Sequence, residues 1–183
     1  RQYESGGASC LSVLTDQQFF GGSVTDLQKA RSATDLPVIR KDFTVSEFDV
    51  VDARLMGADC VLLIAAVLSA SELQRFHDLA TEIGLDVLIE THDESELDRV
   101  LGVGARLVGV NQRDLRTFEV DHQRAERMAA LIPTSAIRIA ESGVRDVADA
   151  QRLRNAGYDA VLVGESIVTS GDPEESVRKL LVA

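Results

Sequence analysis

The sequence predicts an α/β protein built as a (β/α)8 TIM barrel. Three observations carry that prediction. Apolar, strand-like runs alternate with amphipathic helical stretches along the 183 residues. The runs are almost continuously apolar, as in "CVLLIAAVL" from Cys60 to Leu68, which suits parallel strands covered on both faces. Polar and ionisable residues collect where the runs end, the place where a parallel barrel keeps its functional groups. The competing architecture is an open, doubly wound sheet. No run leads into G-x-G-x-x-G or G-x-x-x-x-G-K-[ST], so the nucleotide-binding form of that sheet has no signature here.

Taken in order, Arg1 to Ser5 read as a polar helix end closing on Gly6-Gly7. Strands follow at about 8–14, 37–41, 60–67, 85–90, 107–111, 137–141 and 160–164. Helix starts are marked by capping-box patterns: Ser46 with Asp49, Ser69 with Glu72, and Thr91 with Glu94. Gly57, Gly84, Gly104 and Gly157 each stand just before a strand, where a left-handed residue ends a helix. Their flanks, "GADCVLLI", "GLDVLIE", "GARLVGV" and "GYDAVLVG", form a weak internal repeat of the kind a repeated βα unit leaves. Val147, Ala150 and Leu153 make one apolar stripe, with Arg145, Asp149, Arg152 and Arg154 interleaved. Seven strands are evident, where a barrel of this kind has eight. The expectation is therefore one barrel domain over residues 1–183, incomplete at its N-terminus, holding strands two to eight and an open seam. Such edges invite self-association.

The formal net charge of −11 argues against nucleic acid as a partner, which needs a basic footprint. There is no membrane-length apolar run and no signal-peptide pattern, so no membrane partner is expected and the location reads as cytoplasmic. The two cysteines, Cys10 and Cys60, lie in apolar stretches and read as buried free thiols of a reducing compartment. His77, His92 and His122 have no metal-ligand spacing, so no metal is expected.

The strand ends carry the chemistry. "LPVIRKDF" (36–43) begins as a buried strand and stops on Arg40, Lys41 and Asp42, with Phe43 behind them. Other strands deliver Glu90, then Asn111 with Arg113, then Glu141 with Ser142 and Gly143, and last Gly164 with Glu165. Lys41, Glu90 and Glu141 form a general acid/base set: a lysine among carboxylates donates a proton, and a partly desolvated carboxylate accepts one. The alternative is a salt-bridged layer that caps the barrel core. Asn111 suits a carbonyl or hydroxyl oxygen, and the Arg113 fork suits a carboxylate. "AESGV" (140–144) and "VGESI" (163–167) place Gly and Ser between strand and helix, an anion site at the two final turns where barrels often hold phosphate. Singly, each also reads as an ordinary βα turn. Phe43 is either core or an apolar wall.

Together with "YESGGASCLSVLTDQQFFGGSVTDL" (3–27), "GADCVLLIAAVL" (57–68), "VLIETHDESEL" (87–97), "VGVNQRDLRTFEVD" (108–121) and "GYDAVLVGESIV" (157–168), these motifs resemble the indole-3-glycerol phosphate synthase family of tryptophan biosynthesis. Phosphoribosylanthranilate isomerase and the tryptophan synthase α chain share the phosphate barrel but not this series. The resemblance implies a carboxy-lyase that converts 1-(2-carboxyphenylamino)-1-deoxyribulose 5-phosphate to indole-3-glycerol phosphate, with no cofactor. It implies Lys41 as the acid of ring closure, Glu90 as the base of dehydration, and Asn111 and Glu141 beside them. Arg113, Phe43 and Ser142 would bind substrate. Gly143, Gly164 and Glu165 would hold its phosphate, Glu165 through its backbone. The family's first strand, Glu-x-Lys-x-x-Ser-Pro-Ser, is not found here, which implies that these residues alone have little or no synthase activity. Two other readings remain open at this point: a non-catalytic sugar-phosphate-binding barrel and a sister isomerase.

Overall fold

A computed structural model describes residues 1–114, 117 and 119–181. Seven strands form one sheet in chain order, every neighbouring pair parallel. They are β1 (Leu11–Leu14), β2 (Val38–Lys41), β3 (Cys60–Ile64), β4 (Asp86–Thr91), β5 (Leu107–Asn111), β6 (Ile137–Glu141) and β7 (Ala160–Leu162). The helices are α1 (Gln2–Gly6), α2 (Gln17–Phe20), α3 (Val24–Ala33), α4 (Glu47–Met56), α5 (Ala70–Glu82), α6 (Glu94–Gly102), α7 (His122–Ala129), α8 (Val147–Ala156), α9 (Glu165–Val168) and α10 (Pro173–Leu181).

Strand side chains alternate between two apolar layers. Val38, Val61, Leu63, Val87, Ile89, Val108, Val110 and Ala140 point outward into the layer shared with the helices. Ile39, Cys60, Leu62, Ile64 and Leu88 point inward, joined by Leu107, Ile139 and Leu162. The inward positions above that floor are Lys41, Glu90 and Glu141, and on β5 Gly109 and then Asn111. The period of two therefore places the candidate site on top of the inner core.

The sheet must curl. β2 and β6 are four strands apart, about 19 Å on a flat sheet at the usual strand spacing. Lys41 on β2 nonetheless stands 3.2 Å from Glu141 on β6. Among the described residues β1 and β7 each pair on one side only.

The glycines expected to end helices do so: Gly57, Gly84, Gly104 and Gly157 have φ of 95°, 78°, 77° and 103°. The repeated aspartate two residues after Gly57 and Gly157 has a physical role. Asp59 accepts the Val38 N–H at 2.8 Å, and Asp159 accepts the Arg138 N–H at 2.8 Å, so each tethers the start of a neighbouring strand.

Ser46 with Asp49 and Ser69 with Glu72 are reciprocal capping boxes. The third start is corrected. Thr91 is the buried last residue of β4, and Asp93 caps α6 by accepting the Glu96 N–H at 2.8 Å. The strand runs further than expected because Thr91 pairs with Val110. Cys10 is also corrected. It is exposed, since it precedes β1 rather than lying within it, whereas Cys60 is buried in the inner layer. Burial pushes the Cys60 thiol up to about 12. No helix among the described residues is long and apolar enough to cross a membrane.

Candidate active site

Lys41 sits between two carboxylates from different strands. Its Nζ is 3.4 Å from Glu90 Oε2 and 3.2 Å from Glu141 Oε2. Both glutamates are almost fully buried, at 2% and 1% exposure. Burial by itself would lower the Lys41 pKa, but the Glu141 and Glu90 charges and hydrogen bonds outweigh it and hold the ammonium above the ordinary lysine value. Burial pushes Glu141 up to about 7, against the pull of Lys41 and with the Glu90 charge adding to the rise. Glu141 Oε1 has no hydrogen-bond partner among the described residues. The result is one cation among two carboxylates, one of which changes charge near neutral pH.

Asn111 completes this cluster. Its Nδ2 donates to Glu90 Oε1 at 2.9 Å, and its Oδ1 accepts the Arg113 N–H at 3.0 Å. Gly109, two residues earlier on the same face of β5, leaves the space that the Glu141 carboxylate fills. A Cβ at 109 would collide with Glu141 Oε1.

Of the charged triplet that ends β2, only Lys41 points inward. Arg40 turns outward, donating to the Asp49 carbonyl and to Asp42 Oδ2, each at 2.9 Å. Thr15 adds a 2.6 Å bond to the same Asp42 oxygen. Phe43, half-buried, has Phe20 stacked on it at 5.5 Å and Phe19 edge-on at 5.7 Å. The short helix α2 thus brings two aromatic rings to the mouth. Sequence reading missed it because four residues are too few to show a helical period, although "QQFFGG" offered an aromatic pair before a glycine turn.

Ser142 and Gly143 are both left-handed, with φ of 64° and 71°. For serine that conformation is strained. The buried Gln112 side chain holds the turn, donating to the Ser142 carbonyl at 2.7 Å, and the His122 ring stands 3.2 Å from Gln112 Oε1. Neither was among the candidate site residues, since the Gln112 bond to Ser142 joins the ends of two different strands and the His122 contact forms only when α7 folds back on β5. Gly164 caps the short α9, whose first residue, Glu165, extends its side chain to Arg113 Nη2 at 3.2 Å. The Arg113 fork therefore already faces a carboxylate. In the motif around it, Leu115, Arg116 and Phe118 lie outside the described residues. No group of three or more His, Cys, Asp or Glu among the described residues comes together to hold a metal ion.

Solved structures share this architecture. Thiamine phosphate pyrophosphorylase from Pyrococcus furiosus superposes with a TM-score of 0.75 at 14% identity, over 99% of this chain and 85% of that one. A 3-hexulose-6-phosphate synthase gives 0.74 at 17% identity, over 99% and 92%. At such identities the likeness speaks for the barrel fold alone. Sequence relatives are much nearer. An indole-3-glycerol phosphate synthase of Nocardioides sp. is 49% identical over 180 residues, 98% of this chain and 69% of its own length. A namesake from Parafrankia sp. is 49% identical over 181 residues, 99% of this chain and 68% of its own length. Residues 1–180 match the family described as "Indole-3-glycerol phosphate synthase". The chain belongs to the indole-3-glycerol phosphate synthase family.

Proposed function

We propose that the mouth of this barrel carries out its family's reaction: 1-(2-carboxyphenylamino)-1-deoxyribulose 5-phosphate loses CO2 and water and closes to indole-3-glycerol phosphate. One observation carries the assignment of roles, namely the Lys41 ammonium held between two buried carboxylates over an apolar floor. As the aromatic carbon that bears the carboxylate attacks the ketone carbon, Lys41 gives its proton to the carbonyl oxygen. The C–C bond forms and the carboxylate then leaves as CO2, its bonding pair restoring the ring. In the second stage the new hydroxyl departs as water with a proton from Glu141, and Glu90 takes a proton from the intermediate. Positioned acids and bases of this kind contribute about 10² to 10⁴ each in rate.

Asn111 orients Glu90 and the substrate hydroxyls. Phe43 and Phe20 offer an aromatic slot to the anthranilate ring. The Arg113 fork takes the substrate carboxylate. Ser142, Gly143, Gly164 and Glu165 hold the phosphate through backbone N–H groups and the serine hydroxyl, the anion-binding use of such turns. The partner is thus a small anionic sugar phosphate, and the reading places the protein in the cytoplasm with no nucleic-acid role.

The test is a fluorescence assay of indole-3-glycerol phosphate formation. It is run on residues 1–183 and on the same chain extended at its N-terminus by a relative's first βα unit. Turnover in the extended form supports the reading, and Lys41→Ala in that form should abolish turnover while phosphate-analogue affinity changes little. No turnover in either form would point instead to a sugar-phosphate-binding barrel. Unchanged turnover in Lys41→Ala would remove lysine from the acid role.

A further inference from the structure

Three groups converge on the carboxylate of Glu90, and the roles proposed above use only two of them. Asn111 Nδ2 and Lys41 Nζ approach from the barrel interior. The third is His92, one turn of strand above Glu90 and beyond the end of β4. Its Nε2 lies 3.4 Å from Glu90 Oε1, within ion-pair range though not aligned for a hydrogen bond. Glu96 fixes the ring from the other side. One carboxylate oxygen of Glu96 accepts the His92 backbone N–H at 2.7 Å and stands 3.3 Å from His92 Nδ1. Glu96 is itself placed by the first turn of α6, where its own N–H is bonded to the capping Asp93. The His92 and Glu96 side chains are 12% and 11% exposed, so neither is a freely solvated surface group.

We propose that His92 is a positioning residue for Glu90: the ring, anchored by Glu96, stands against the Glu90 carboxylate and holds it oriented as a base. The bond to Glu96 places the proton on Nδ1 and leaves Nε2 facing Glu90, the way a carboxylate commonly orients a functional histidine. Burial works to lower the His92 pKa, but the Glu96 hydrogen bond and the Glu90 and Glu96 charges outweigh it, and it rises. Arg124, from α7, opposes the rise, and Asp93 lies close enough to feel the His92 charge. Lys41 and Glu141 face the same carboxylate from β2 and β6. The ring thus flanks Glu90 from outside the barrel axis, as Lys41 does from inside it. As proton donor and then free amine, Lys41 changes charge during turnover, whereas His92 does not need to.

This inference rests on Glu90 as the base, but part of its test does not require turnover. The chain has three histidines, so their imidazole signals are resolvable by NMR. In the wild type His92 should titrate above the ordinary value of about 6.5. It should fall by about half a pH unit or more in Glu90→Gln and again in Glu96→Gln, while His77 and His122 stay in place. A His92 titration indifferent to Glu90→Gln overturns the proposal whatever the enzyme does. In the active full-length protein, His92→Gln should lower kcat about tenfold, move the acidic limb of the kcat profile to higher pH, and leave KM within about threefold. An unmoved acidic limb also overturns it. Loss of all activity in the wild type would instead count against the functional reading, and the NMR result would still decide the contact between His92 and Glu90.

Discussion

Gly109 and Glu141 show how tightly one residue constrains another at this site. Glycine in a strand interior is normally a weakness, yet here the missing Cβ is the space occupied by the Glu141 carboxylate. Gly109→Ala should displace that carboxylate, lower kcat by about 10- to 100-fold and cost about 1–3 kcal/mol of stability. Steady-state kinetics and urea unfolding check the two effects separately. Glu141→Gln tests the proton itself. The wild-type rate should show an inflection near pH 7, where Glu141 titrates, and the glutamine variant should lose it. Stability has the opposite dependence from a typical paired carboxylate. The folded Glu141 holds its proton from its usual 4.5 up to about 7, so the native state binds more protons than the unfolded chain in that window. Wild-type stability should therefore receive a falling contribution from Glu141 as pH rises from 4.5 to 7. Unfolding midpoints across that range should show the contribution absent in Glu141→Gln.

At the scale of the element, the helix starts do more than begin helices. Ser46 and Asp49 close the first turn of α4, and the Asp49 carbonyl then accepts from Arg40, tying the end of β2 to that turn. At α8 the third residue, Asp149, is buried and accepts from the Arg145 backbone and guanidinium and from Arg152. The Arg145 hydrogen bond leads the causes that hold its carboxyl down at about 2, against the burial that would raise it. That turn directly follows the strained Ser142-Gly143 pair, so its rigidity supports the candidate phosphate site. Asp149→Asn should cost about 1–3 kcal/mol at neutral pH. A depressed carboxyl stabilises above its unfolded pKa and loses that contribution as pH falls through the folded one. The gap in stability between wild type and variant should accordingly be full above pH 4 and close towards pH 2, as urea midpoints would reveal.

At the scale of the whole molecule, curling of the sheet is what makes a site at all. It brings β2 and β6 within one hydrogen bond of each other at their tops, and it gathers the strand-to-helix turns around one mouth. The same curl leaves β1 and β7 with one paired edge each among the described residues, and Leu14, on the inner face of β1, is 37% exposed. An unpaired edge beside an apolar face is a template for another strand. Residues 1–183 alone should self-associate with rising concentration in sedimentation experiments, and Leu14→Lys should weaken that association. A concentration-independent monomer would end the idea.

Strand positions were legible because each is a short apolar run, and helix ends because glycine supplies a backbone conformation that other residues resist. The four inward groups were legible too, as polar residues at strand ends. Less visible was the direction each one takes. Arg40 and Lys41 are adjacent and both charged, and only the pleat sends one to the helices and the other to the mouth. Thr91 read as a cap because its spacing to Glu94 imitates one, until pairing with β5 claimed it for the sheet. The aromatic partners of Phe43, the Gln112 grip on Ser142, and the Glu96–His92–Glu90 alignment each join segments that are separate in the chain or turned by a loop. By itself the sequence determined the order of elements, the parallel sheet, the family resemblance and the set of candidate groups, because these follow from local periodicity, turn chemistry and motif. Only the tertiary structure decided which charges meet, which glycine makes room and which proton sits near pH 7, because burial and distance are properties of the curled sheet and of no single segment.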